Sequence, residues 1–277
     1  MTTFTRSRAA LATVAAASAL ALTACSGAAT PASSGAAAGG VQLVSAGKLL
    51  VCTHLSYKPF QYKDASNKVV GFDVDIMDLV AKKLGVTQEI VDIDFASITS
   101  GAVFAAKKCD ASAAAVTITD ARKNAITFSD PYFKATQALL VKKGSGIKDL
   151  PDLKGKKLGV QTDTTDQKYG EDQKAANGYT TIVFDDSPSE LNAALAGNVD
   201  AVINDNAVVY DFAKDNAGLE VVKEFDTKEN YGLIVKKDDA NATALVAVIN
   251  DVLKTAKADG SYNTIFKKYF GVDAPTS

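Results

Sequence analysis

Residues 47–85, GKLLVCTHLSYKPFQYKDASNKVVGFDVDIMDLVAKKLG, hold both kinds of element that decide the fold. Lys48–Thr53 is a short apolar run that reads as a buried strand. Residues 71–84 open with the acids Asp73 and Asp75 and set Ile76, Leu79, Val80 and Leu84 at helical spacing, and Gly85 stops the helix. A strand followed by an amphipathic helix is the repeating unit of an α/β chain.

The same alternation continues outward. Residues 88–93 read as a strand, 97–107 as a helix, 111–116 as a strand and 138–142 as extended chain. Lys157–Gln161 is a strand followed by a Thr/Asp-rich turn and a helix from about Asp166. Strands at 181–184, 201–203 and 233–236 then alternate with helices at 188–196, 207–214, 240–257 and 262–270. The pattern predicts an α/β fold with mostly parallel sheets, in which a ligand sits at the carboxyl ends of strands beside helix N-termini. Three segments end a strand there with small hydroxyl or acidic residues: 117–122, 162–166 and 204–206.

The N-terminus is a separate matter. Arg6 and Arg8 precede an apolar run over 9–22, too short for a membrane span and of the length of a secretory signal. It ends in Leu22-Thr23-Ala24-Cys25, which resembles a bacterial lipobox. That resemblance implies cleavage before Cys25, acylation of Cys25 and anchoring of the protein outside the cytoplasm by two or three acyl chains. Residues 25–40 follow as the lipidated Cys and a tether rich in Ala, Ser and Gly, which has nothing to build a core from. Without residues 1–24 the chain keeps 28 of its 30 basic residues against 32 acids, a net charge of −4. That balance argues against a nucleic-acid partner, and no second long apolar run suggests another membrane span.

Cys52 and Cys109 remain as a pair. Export permits a disulfide. However, Cys52 falls late in one strand and Cys109 at the start of another. If those strands are parallel neighbours, the two lie several positions out of register, beyond bridging distance. The expectation is two buried free thiols.

Beyond the 47–85 stretch, the chain carries Phe95-Ala96-Ser97-Ile98, KKCDASAAAVTITDARKNAITFSDPYF (107–133), DLKGKKLGVQTDTTDQKYG (152–170), LAGNVDAVINDN (195–206) and DGSYNTIFKKYFG (259–271). In this order, covering nearly all of 46–271, these motifs resemble the polar-amino-acid solute-binding proteins of ABC importers. The resemblance implies the two-lobed periplasmic-binding-protein fold (type II): lobe 1 over 41–134 and 231–277, lobe 2 over 135–230, and a two-segment hinge between them.

The resemblance also implies the site. Arg122 aligns with the anchor of a ligand α-carboxylate, which its planar fork can take through both oxygens, and Thr117 adds its N–H and hydroxyl. Asp205 aligns with the acceptor of the α-ammonium, although a helix N-cap is an ordinary use of Asp at such a place. Thr164 and Thr165 open a helix whose free amides would complete the carboxylate site. Asp163 departs from the pattern, standing where Gly is usual. Tyr57 and Phe95 align with the aromatic walls of the side-chain pocket, whereas Phe60 reads as core. Ala114 and Ala115 replace the usual Ser or Gly and offer only carbonyls. His54, the only histidine, stands where members that bind cationic ligands carry Asp, although Asp163 and Asp166 could supply a carboxylate from lobe 2.

These readings imply a binding lipoprotein that captures a small amino acid, neutral or polar, and delivers it to a membrane permease. It is expected to be a monomer, without cofactor or metal. Two other functions fit the scaffold, a dehydratase-like enzyme and a receptor-type sensor. The sequence offers no Ser-His-Asp set, metal-ligand spacing or phosphate loop for the first, and no fused signalling segment for the second.

Overall fold

The computed structural model describes residues 40–275. The expected signal, Cys25 and the tether up to residue 39 lie outside the described residues. In chain order the first elements are β1 (Lys48–Thr53), β2 (Tyr62–Lys63), β3 (Val69–Val70), α1 (Phe72–Leu84), β4 (Thr87–Asp92), α2 (Phe95–Thr99), α3 (Ala102–Ala105), β5 (Ala111–Ser112), α4 (Asp120–Lys123) and β6 (Ile126–Phe128). The long strand β7 (Phe133–Lys142) leads to β8 (Lys157–Gln161), α5 (Thr165–Asn177), β9 (Thr180–Phe184), α6 (Ser187–Ala196), β10 (Ala201–Asp205) and α7 (Asn206–Asp215). A second long strand, β11 (Leu219–Tyr231), returns to β12 (Ile234–Lys236), α8 (Ala240–Asp259) and α9 (Ser261–Phe270).

Two five-stranded sheets form, one per lobe, with orders β4-β1-β5-β12-β6 and β11-β7-β10-β8-β9. In the first sheet β4, β1 and β5 are parallel, whereas β12 is antiparallel to both β5 and β6. In the second, β10, β8 and β9 are parallel, whereas β7 is antiparallel to β10 and β11. Each sheet is therefore evenly mixed, not mostly parallel as the alternation suggested. The antiparallel pairs come from the chain's two passages between the sheets and its return, which carry no crossover helix. The central strands β8 and β10 are buried almost throughout, which is why they read as plain apolar runs.

Helix α1 buries Phe72, Val74, Ile76, Met77, Val80 and Leu84, the stripe set by its spacing. Gly71 precedes it at φ +142, where a Cβ would lie 2.0 Å from the Phe60 carbonyl oxygen, so only glycine admits that approach. The helix expected over 97–107 is instead two short helices, α2 and α3. Gly101 breaks it at φ +77, pressed so close to the Ala125 carbonyl that a Cβ would stand 2.9 Å from the oxygen. The strand expected over 111–116 keeps its ladder only at Ala111–Ser112.

An aromatic cluster joins the base of the two long strands to the first lobe. Phe60 meets Phe133 edge-on at 4.9 Å and Tyr231 at 5.3 Å, and Phe72 meets Phe270 at 5.3 Å. Phe60 is fully buried there, in the core, as its sequence context suggested.

Cys52 and Cys109 are disulfide-bonded, with their Cα atoms 5.7 Å apart, which corrects the expectation of free thiols. The strands are parallel neighbours, as supposed, and Cys52 pairs with Ser112. Cys109, however, precedes β5 rather than starting it. The chain turns at Lys107 (φ +52), and Asp110 fixes the turn: its N–H donates to the Leu50 carbonyl at 2.8 Å, and its carboxylate accepts from the N–H groups of Leu50 and Val44 at 2.8 and 2.7 Å. The bend folds Cys109 back over β1 instead of leaving it along the strand axis. The bond closes a loop over a separation of 57 residues, worth about 4 kcal/mol in the chain-entropy account. Reduction, or the double change Cys52→Ala with Cys109→Ala, is expected to lower unfolding stability by about that amount in urea titrations. Coincident curves for oxidised and reduced protein would show that the bond contributes nothing.

Candidate functional site

The strand ends that the alternation singled out converge. His54, Tyr57, Phe95, Ala115, Thr117, Arg122, Thr164, Thr165 and Asp205 all line one cavity, together with Ala114, Asp166, Gln61 and Gln161. The first lobe supplies the residues up to Arg122 and the second those from Gln161 onward. Asp163 is not on the wall.

Arg122 stands in α4, a single turn capped by Thr119, whose hydroxyl accepts from the Arg122 N–H. Its guanidinium lies 5.3 Å from the Phe95 ring centre. Nη1 donates to the Thr117 carbonyl at 3.0 Å and Nη2 to the Asp163 carbonyl, across the cleft, at 2.9 Å. Asp163 has φ +59, a left-handed conformation that Asp tolerates better than most residues. This accounts for a position where Gly is usual: the backbone faces Arg122 while the side chain is exposed. Burial lowers the pKa of Arg122, and Asp205, Glu229, Asp166 and Asp163 act to raise it. Yet among the described residues no carboxylate lies within ion-pair distance of Arg122.

Asp205, 5% exposed, is the last residue of β10 and the N-cap position of α7, but its side chain makes no capping bond. Its carboxylate instead accepts from Tyr57 Oη at 2.7 Å, from Gln137 Nε2 at 2.7 Å and from Tyr231 Oη. Burial pushes the acid up, and these donors with Arg122 pull it down. Tyr57 Oη also lies 2.8 Å from Asn204 Oδ1, so one lobe 1 hydroxyl meets two lobe 2 acceptors.

Thr164 caps α5: its hydroxyl accepts from the Gln167 N–H at 3.1 Å and donates to the Gln161 carbonyl at 2.6 Å. Thr165 Oγ1 donates to Glu229 Oε2 at 3.2 Å and lies 3.3 Å from Thr117 Oγ1. His54 Nδ1 lies 3.0 Å from the Ile93 carbonyl, which can only accept, so Nδ1 carries the proton. Ala115 has φ +50, and its N–H donates to Asp73 Oδ2 at 2.8 Å, while Asp73 Oδ1 accepts from Tyr132 Oη at 2.6 Å.

Sequence reasoning missed Gln61, Gln161, Gln137, Glu229 and Tyr231. Gln161 ends a strand and Gln61 follows Phe60, so the strand-end rule and the 57–60 motif reach their neighbourhood. Glu229 and Gln137 sit on the two long strands. Burial, then Asp205, pushes the Glu229 carboxyl up to about 7. Nothing in the charged stretch around Glu229 marks it as the acceptor for Thr165 and Gln137.

A family model described as bacterial extracellular solute-binding proteins, family 3, matches residues 49–272. A probable histidine-binding protein of Neisseria gonorrhoeae is 34% identical over 270 residues, 94% of each chain. An ancestral arginine-binding protein solved with arginine superposes with a TM-score of 0.75 at 41% identity, over 81% of this chain and 99% of the other. The ancestral amino acid-binding protein AncCDT-1, a precursor of cyclohexadienyl dehydratase, gives a TM-score of 0.72 at 32% identity, over 81% and 95%.

The acids set a pH dependence. Burial pushes Asp73 up to about 7 against the pull of its two donors, and Asp166 up to about 8. An acid raised in the folded state holds more protons folded than unfolded between its ordinary pKa and the raised one, so stability falls as pH rises through that window. The ligand-free protein is expected to melt highest near pH 5 and about 4 °C or more lower at pH 8. Asp73→Asn, which no longer titrates, should flatten that slope. A melting temperature that climbs from pH 5 to 8 would contradict the assignment.

Proposed function

Because the chain belongs to the bacterial extracellular solute-binding proteins, family 3, we propose that it captures a free α-amino acid with a polar side chain between its lobes and delivers it to an ABC permease. One observation carries the reading. Arg122 and Asp205, of opposite charge, line the same cavity from opposite lobes, and among the described residues neither forms an ion pair. A zwitterion supplies the missing counter-charge to both. Its carboxylate takes the fork of Arg122 with Thr117 and the free amides at the start of α5, at Thr164 and Thr165. Its ammonium takes Asp205 and the Ala115 carbonyl. Tyr57 and Phe95 flank its side chain, and His54 stands beyond them. Relatives named for histidine and arginine binding support this choice of ligand class.

In this reading the lobes divide at 134/135 and 230/231, and the two long strands carry the hinge. The protein works outside the cytoplasm as a monomer held by lipid on Cys25. In this reading it binds and releases its ligand without chemistry, as the transport-binding relatives suggest.

The test is calorimetric titration of the mature protein, unfolded and refolded to strip carried ligand, against the common amino acids. Arg122→Ala leaves the buried ligand carboxylate without its counter-charge and is expected to weaken binding about 10²–10³-fold or more. Undiminished micromolar binding would remove Arg122 from the site. Cys25→Ser is expected to move the protein from the membrane to the soluble fraction. Its retention on membranes would dismiss the lipid anchor.

A further inference from the structure

The cavity holds more hydrogen-bond acceptors than the two ends of an amino acid can use. Gln61 and Gln161 are 1% and 2% exposed, and the Oε1 of each is buried without a donor. Gln61 is fixed in that orientation, because its Nε2 donates to the His54 carbonyl at 3.3 Å. His54 Nε2 is likewise buried without a partner, and in the neutral ring with the proton on Nδ1 it can only accept. A buried acceptor left without a donor costs about 1–3 kcal/mol, and native proteins keep few of them. Here three line one cavity, two from the first lobe and one from the second.

Asp166 adds a carboxyl group to this set. It lines the same cavity at 2% exposure, with Oδ2 accepting from the Gln161 N–H at 3.0 Å. Asp205 and Arg122 are answered by the ligand's ammonium and carboxylate. Asp166 has no cation within ion-pair distance among the described residues, and nothing in the main-chain part of a ligand is left to supply one.

Resting on the amino-acid reading above, we propose that Gln61, Gln161, His54 and Asp166 form a side-chain subsite for a cationic group with several N–H donors, a guanidinium. A guanidinium presents five N–H groups in a plane, enough for three neutral acceptors and a carboxylate. An apolar side chain leaves every one of them unanswered, and an acidic one sets like charges together. The earlier expectation of a neutral ligand rested on His54 in place of an Asp. The carboxylate enters from the other wall, at Asp166. Its pKa, raised by burial, falls when a cation arrives, so binding releases a proton.

Four ligands test this by calorimetry on the refolded mature protein: arginine, citrulline (the neutral isostere), norleucine and glutamate. Arginine is expected to bind tightest, with citrulline roughly 10- to 100-fold weaker and norleucine weaker still. Asp166→Asn should shrink the arginine-to-citrulline ratio about tenfold or more, whereas Gln161→Leu should weaken both ligands together. Norleucine or glutamate binding as tightly as arginine overturns the subsite and leaves the amino-acid reading intact. An unchanged ratio in Asp166→Asn removes that residue from it. If Asp166→Asn does not fold, the wild-type ratio decides. Silence of folded wild-type protein toward these four and every common amino acid overturns the broader reading instead.

Discussion

The carboxylate of Asp205 is buried in a place where, among the described residues, no lysine or arginine pairs with it, and much of the architecture follows from how it is satisfied. Burying an ionised carboxylate is strongly unfavourable unless donors surround it. Its donors come from three directions: Tyr57 from the first lobe, Gln137 from β7 and Tyr231 from the end of β11. One acid at the end of β10 therefore ties together the second lobe, both long strands and the first lobe. Of these bonds, only the one from Tyr57 reaches across the cleft from a loop outside the two strands. The donors on β7 and β11 keep the acid in position while leaving that third contact free to form or break.

Asp73 does a related job in the first lobe. It too is fully buried, and its two oxygens divide between the Ala115 N–H in the cavity wall and Tyr132 next to β7. Tyr132 packs 6.3 Å from Tyr231, which in turn donates to Asp205. The two buried acids thus grip the same aromatic cluster from its two sides. That gives the left-handed turn at Ala115 a firm support: a residue held at positive φ without glycine needs its surroundings to fix it.

What the sequence made legible follows from packing. Strands buried on both faces, such as β8 and β10, announce themselves as apolar runs, and α1 as a stripe with acids before it and Gly85 after it. The strand-end rule then gathered the three segments that do meet at the cavity. β11 was not legible, since KEFDTKENY is half-exposed chain with two bulges, and its pairing with β7 depends on backbone bonds that leave no apolar pattern. The disulfide was misjudged because register was extended back beyond the start of β5, where Asp110 fixes a turn. Gln61 and Gln161 escaped notice because an amide gives no sign in sequence of whether its oxygen has a donor. Only the folded cavity shows that theirs lack one.

Those unanswered acceptors bear on closure as well as on choice of ligand. Gln61 and His54 come from one lobe, Gln161 and Asp166 from the other. With the lobes together and the cavity empty, their desolvation is uncompensated. With the lobes apart, water reaches them. A ligand stabilises closure only by what it gains in the closed state over the open one. Donors that bridge both walls supply that difference, because they replace water at all four groups at once, whereas a ligand held by one wall alone gains the same in either state. In the proposed reading, the arrangement makes an empty closed protein costly and a filled one favourable, so closure would report whether the cavity is occupied.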